Sequence, residues 1–257
     1  MKRKSLGLWL AACTTYIFLY IPLLIVVVYS FNDSRLNVEW VGFTLKWYHV
    51  LFNDSTMLQA ASNSIIIGVT SSFLATILGT MAGYALYRYQ LKVLPFLVMT
   101  PIAIPEILSG VSLLVFFVLL NMTLGMLSVT LAHVAFCVSF VAIVVRSRLA
   151  GMDESLTEAA RDLGASPFQA FRLVTLPLIM PGIVAGALMA FTLSIDDFVI
   201  TFFTAGAGTN TLPLQIYSMI KIAITPEVNA ISTLLMLFTL VLIIAASKLA
   251  PGALRAD

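Results

Sequence analysis

Residues Asp153-Glu154-Ser155-Leu156-Thr157-Glu158-Ala159-Ala160-Arg161-Asp162-Leu163-Gly164-Ala165-Ser166-Pro167-Phe168-Gln169 form a polar stretch in a largely apolar chain. Their punctuation is that of two short helices. Asp153 or Ser155 can cap the first, with Ser155 and Glu158 at capping-box spacing, and Gly164 stands where a helix end favours positive φ. Ser166 reads as the N-cap of the second, with Pro167 at the first helical position and Gln169 able to reach back to the cap. Ala159, Ala160, Leu163 and Ala165 give the first helix a small, smooth face bordered by Glu154, Glu158, Arg161 and Asp162. A helix with so little apolar bulk does not sit in lipid. Its alanine face suits close docking, either into a groove of another protein or onto the chain's own bundle.

On either side of this stretch the chain becomes apolar enough to cross a bilayer. With 60% hydrophobic and 10% charged side chains, 257 residues carry more apolar surface than a soluble core of that size can hide. A membrane helix needs about 20 apolar residues. Six runs meet that need, at residues 8–30, 60–87, 95–120, 124–145, 182–203 and 228–249, and the second and third are long enough to tilt or kink. Cys13 and Cys137 lie inside such runs without metal or redox spacing. His49 and His133 lack partner spacing too, and both are expected to be structural hydrogen-bonding residues. No metal site and no catalytic constellation is expected.

The placement of positive charge orients the spans. Lys2, Arg3, Lys4, Arg88, Lys92, Arg146, Arg148, Arg161, Arg172, Lys248 and Arg255 fall on one side, and only Arg35, Lys46 and Lys221 on the other. Both termini are therefore expected to be cytoplasmic, with 146–181 the longest cytoplasmic connection. The external segment carries Trp40, Trp47, Tyr48 and His49, aromatics suited to the headgroup level or to the outer mouth of a pathway. Small residues at Gly79/Gly83 and Gly182/Gly186 have the spacing that lets helix backbones approach.

Glu158-Ala159-Ala160, Gly164 after three residues, then Val174, Leu176 and Pro177 after nine more, resembles the EAA motif of ABC importer permeases, the binding-protein-dependent, MetI-like family. Only Val174 departs, where the family has isoleucine. The resemblance implies an all-α integral membrane fold of six transmembrane helices with a cytoplasmic coupling helix. It implies that Glu158, Ala159, Ala160, Leu163 and Gly164 couple to a separate ATPase chain. The implied organisation is an N-terminal helix and external loop (1–54), a permease domain (55–250) and a cytoplasmic tail (251–257). No P-loop sequence occurs, so ATP and Mg are expected on the partner ATPase and no cofactor in this chain. The other implied partners are a homologous second permease and a periplasmic binding protein.

Charged groups inside spans cost roughly 2.5–3.5 kcal/mol each at the centre, so they are functional candidates. Three occur here, Glu106, Asp196 and Asp197. No Lys or Arg shares their runs, which points to a pathway for a cation, with Ser194 adding a hydrogen bond and Trp47 near its mouth. Two other readings stay open: Glu106 at the start of a helix after Pro105, and the aspartates paired with another subunit. Tyr29-Ser30-Phe31-Asn32, Trp47-Tyr48, Thr192 to Asp197 and Leu212-Pro213-Leu214-Gln215 are similar to the C-type permeases of spermidine/putrescine importers. That likeness implies a polyamine cargo. The alternatives are an ABC permease for another small solute and an ion-coupled secondary transporter.

Overall fold

The computed structural model describes residues 6–34, 39–89, 92–222 and 225–249. Lys2, Arg3, Lys4, Arg35 and Arg255, with the tail at 251–257, lie outside the described residues, and of Lys248 only the backbone is described. Twelve helices are described: α1 (Leu6–Tyr29), α2 (Lys46–Asn53), α3 (Ser55–Arg88), α4 (Leu94–Ala103), α5 (Glu106–Leu119), α6 (Met126–Ala150), α7 (Ser155–Asp162), α8 (Pro167–Ala170), α9 (Leu176–Asp196), α10 (Val199–Thr204), α11 (Leu212–Ile222) and α12 (Pro226–Leu249). The fold is all-helical; among the described residues the one β feature is an isolated Asn32–Phe43 bridge.

Each of the six expected runs is occupied by helix. Four helices are long and apolar enough to cross a membrane, Gly7–Tyr29, Ser55–Arg88, Met126–Ala150 and Pro167–Asp196, and α4 with α5 makes five if counted as one span. The sixth run is helical as α12, whose described apolar part, Pro226–Leu242, is shorter than a full span. The third run does more than kink. Its two helices bend by 113° at Ile104–Pro105, because Pro105 has no N–H to continue the ladder and forces Ile104 into an extended conformation. At 10 and 14 residues neither half alone covers a hydrocarbon core about 30 Å thick.

The chain forms two compact units. One comprises residues 1–58 and 215–240. In it α1 exposes its apolar surface all round, as a helix bathed in lipid can. The segment after α1 folds on fully buried Asn32. The Asn32 side chain accepts from Val41 N–H (2.9 Å) and donates to the Glu39 carbonyl (2.8 Å). Its own carbonyl accepts the Trp47 indole N–H (2.8 Å). Ser30 and Tyr48 hydroxyls meet at 2.7 Å, and Phe31 stacks on Phe43. The two sequence pieces 29–32 and 47–48 are thus halves of one folded loop. His49 bonds Asn53 on the next turn of α2 (3.2 Å).

The second unit, 59–214 with 241–257, is centred on α6. Its core joins Ala75 of α3, Cys137, Val141, Val145 and Leu149 of α6, and Ile179 and Ala190 of α9. The glycine faces do what their spacing suggests. A Cβ on Gly79 would lie 2.6 Å from Val141 Cβ, one on Gly83 2.7 Å from the Ala142 carbonyl oxygen, and one on Gly182 2.9 Å from Arg148 Cβ. Gly186 would meet Val141 Cγ1 at 3.2 Å. Both faces therefore close on α6.

The second short helix expected at Ser166 does not stand alone. It runs on through a π-turn at Phe171–Thr175 into α9, giving one rod from Pro167 to Asp196. Pro177 explains the turn: inside a regular α-helix its ring would press on the carbonyl four residues back, and the wider π-turn makes room. The Leu176 N–H bonds Phe171 O, five residues back.

Candidate functional site: a polar network in the bundle and an exposed loop helix

α9 ends at Asp196, and Asp197 takes an extended conformation with ψ 125° before α10 begins. The break follows from the aspartate's capping chemistry. Asp197 Oδ2 accepts Thr201 N–H at 2.8 Å and its hydroxyl at 2.9 Å, and Oδ1 accepts Ile200 N–H at 3.3 Å. The carboxylate thus satisfies the free donors that open α10. Two adjacent aspartates on a break point to different places, and only Asp196 is exposed.

His133 of α6 ties this break to the rest of the unit. Its Nδ1 lies 2.7 Å from Ser194 Oγ, and its Nε2 lies 3.0 Å from Thr201 Oγ1 and 3.2 Å from Asp197 Oδ2. Ser194 in turn meets Ser71 Oγ of α3 at 2.9 Å. The network closes when Ser71 donates to Ser194, Ser194 donates to Nδ1, and the Nε2 proton faces the carboxylate. α3, α6, α9 and α10 are all held by it. Ser71, His133, Ser194 and Thr201 are buried, and the side chain of half-buried Asp197 is only 7% exposed, so the bonds form where water competes little.

The structure thereby brings Ser194, His133 and Asp197 together, a constellation that sequence spacing did not disclose. By residue type it is that of a nucleophile, a base and an orienting acid. Its geometry is that of a lock: the serine oxygen is engaged by Ser71 and sealed from substrate. Sequence reading made His133 a structural hydrogen-bonding residue, which it is, but missed its partners 61 to 68 residues away. The available signal was the Asp197/Thr201 spacing, that of a capping aspartate and the first turn it serves.

Glu106 is the exposed first residue of α5, after Pro105 in an extended conformation. It occupies the positive end of the helix, as the alternative reading placed it. Trp47, in the other unit, is buried (6% exposed) with its indole donated to Asn32. Within the second unit, Ser194 and Asp197 share the His133 network, and Asp196 and Glu106 are exposed outside it.

In the polar loop, α7 starts at Ser155, and of the two expected caps, Asp153 and Ser155, the structure uses the first. Ser155 and Glu158 form no capping box. Asp153 is the cap, its Oδ1 accepting Ser155 N–H at 3.0 Å. Hydrogen bonds from the Ser155 side chain and backbone hold the Asp153 carboxyl below the usual carboxylate range. The other end is as expected. Gly164 has φ +92°, Ala165 N–H bonds Ala160 O (3.1 Å) and Gly164 N–H bonds Arg161 O (2.9 Å), the paired closure of a Schellman motif. Ser166 and Gln169 exchange the reciprocal bonds of a capping box at 2.8 and 3.3 Å. α7 has no buried residue, and Leu163 is 90% exposed. A shallow notch floored by Ala170 lies beside it, edged by Leu163 and Leu173.

Comparison with known proteins bears on both features. Residues 75–254 match the family described as binding-protein-dependent transport system inner membrane component. The chain is 45% identical over 238 residues to the spermidine/putrescine transport system permease protein PotC of Escherichia coli (strain K12), covering 91% of this chain and 90% of that one. It is 42% identical over 231 residues to the putrescine transport system permease protein PotI of the same organism, covering 86% and 82%. Among solved structures, the inward-facing MetNI methionine ABC transporter aligns with TM-score 0.65 and 21% identity, over 77% of this chain and 96% of that one. A bacterial transporter importing the acidic polysaccharide alginate aligns with TM-score 0.71 and 16% identity, over 94% and 95%. At such identities these two report the fold. With its loop motif, helical architecture and family match in agreement, the chain belongs to the binding-protein-dependent transport system inner membrane components and is a multi-pass permease subunit of an ABC importer.

Proposed function

We propose that this permease carries a polyamine, spermidine or putrescine, inward across the bacterial inner membrane. The observation that carries the reading is Asp196: an exposed carboxylate at the C-terminal end of a membrane helix, where the helix dipole disfavours negative charge and favours a bound cation. The likeness to PotC and PotI over most of the chain supports the same cargo. In this reading Asp196 and Glu106 are the cation contacts. Asp197 and Ser194 belong to the pathway through the network that fixes the helix break, and Trp47 through the fold of the external loop.

The assembly we propose pairs this chain with a homologous permease, two copies of an ATPase that hold ATP and Mg, and a periplasmic binding protein. Both termini face the cytoplasm, by the balance of Lys and Arg. α7 is the coupling helix: Glu158, Ala159, Ala160, Leu163 and Gly164 dock in the ATPase, and its movement opens and closes the pathway. The permease subunit performs no chemistry on its cargo.

Uptake of labelled putrescine and spermidine into proteoliposomes holding the complete complex tests this. ATP-dependent uptake that survives a collapsed ion gradient, and that Asp196→Asn weakens, is the expected result. Uptake driven by an ion gradient without ATP would reject the mechanism. ATP-driven uptake of some other solute alone would reject the cargo.

A further inference from the structure

α7 buries none of its own residues, so a push on it passes into the bundle through the contacts of the loop that carries it. Two contacts of that loop come from one helix. Tyr87 of α3 donates its hydroxyl to the carboxylate of Glu154, the residue before α7. Tyr84, on the same helix, sets its ring edge against Phe171, with centroids 5.0 Å apart and planes at 70°. Phe171 opens the π-turn, and Thr175 at its other end has its hydroxyl 3.5 Å from that of Thr157 in α7. Both tyrosines and Met152 also pack on the core of Val141, Val145, Leu149 and Ile179.

α3 is well built to carry such a push. It runs 34 residues without proline, and Gly79 and Gly83 hold it at backbone contact with α6. The Pro167–Asp196 rod also leads from the loop to the network, but the π-turn, Pro177 and Pro181 interrupt its hydrogen-bond ladder. About 24 Å along α3 from Tyr87, at 1.5 Å per residue, Ser71 gives that helix its bond to Ser194 in the buried network.

We propose that α3 transmits movement of the α7 loop to the Ser194–His133–Asp197 network, with Tyr87 and Tyr84 as positioning residues at one end and Ser71 at the other. The proposal rests on reading α7 as the ATPase-docking helix. Transmission of this kind is read as energetic coupling between the two ends.

The test uses the complete complex in proteoliposomes with its binding protein, reading spermidine transported per ATP hydrolysed, together with the amount of ATPase that co-purifies. Tyr87→Phe should leave co-purification at the wild-type level and lower the transport ratio by about fivefold or more. Glu154→Ala should reproduce that loss, while Glu154→Gln, which keeps an acceptor oxygen, should restore most of the ratio. Ser71→Ala should lower the ratio too. The double variant Tyr87→Phe with Ser71→Ala should be no worse than the weaker single, because the two sites act in series. Multiplying defects, an unchanged ratio in Tyr87→Phe, or loss of the ATPase from that variant would each overturn the proposal. Leu163→Asp is the control on the underlying reading: if its complex keeps the ATPase bound and coupled, the docking role of α7 is wrong whatever Tyr87→Phe does.

Discussion

His133 Nε2 lies 3.2 Å from Asp197 Oδ2, and both side chains are buried. Asp197 also carries the first donors of α10. One carboxylate therefore fixes the end of α9 and the start of α10, and its exposed neighbour Asp196 is placed by that arrangement.

The neighbours should accordingly differ in effect. Asp197→Ala removes the acceptor that the Ile200 and Thr201 N–H groups and the His133 ring share, and leaving such buried donors unsatisfied costs about 1–3 kcal/mol. Thermal melting of the purified complex should show a clear loss. Asp196→Asn touches none of these bonds and should leave stability within about 0.5 kcal/mol, while raising the KM for polyamine uptake. Equal losses of stability in the two variants would contradict the division.

Much of this was legible in the residues. The apolar runs, the glycine faces, the Gly164 turn and the Ser166–Gln169 box depend on local spacing, and local spacing is what a sequence displays. The bend at Pro105 was visible as a kink but not as 113°, since a proline permits a break and tertiary packing sets its angle. The role of Asp153 in place of Ser155 was one of two local alternatives of similar worth. The His133 network was hidden because its members are drawn from α3, α6 and the α9–α10 break, and no sequence period connects them.

The glycine contacts on α6 make a prediction that separates side-chain crowding from backbone crowding. A Cβ at Gly186 meets first the Val141 Cγ1 methyl at 3.2 Å, whereas one at Gly79 also lies 2.9 Å from the Val138 carbonyl oxygen. Both glycine-to-alanine variants should cost about 1–3 kcal/mol through overpacking. Adding Val141→Ala should restore folded yield, followed by size-exclusion chromatography, for Gly186→Ala. It should not do so for Gly79→Ala.

In the loop after α1 the Trp47 indole is committed to the Asn32 carbonyl at 2.8 Å. Trp47→Phe keeps an aromatic ring but removes the donor, and leaving that carbonyl unpaired should cost about 1–3 kcal/mol. Limited proteolysis of the loop should quicken. If the residue acts through the loop fold alone, Vmax falls with the folded fraction and the KM for polyamine stays put. A raised KM in the fraction that remains folded would give the ring direct contact with cargo.

Gly164 distinguishes a conformational requirement from a steric one. Its φ of +92° closes α7, and a Cβ added there meets nothing in this chain within 4 Å. Gly164→Ala therefore suffers only the backbone strain of the left-handed region, about 1–2 kcal/mol, and Asn, which enters that region more readily, should suffer less. If Gly164 serves only to end the helix, ATPase co-purification should fall for Ala and largely recover for Asn. If the ATPase groove closes on the glycine itself, both variants lose the ATPase, and Asn, the larger side chain, loses more. The two orders are opposite, so one pull-down series across wild type, Gly164→Ala and Gly164→Asn separates a helix terminator from a residue kept small for its partner.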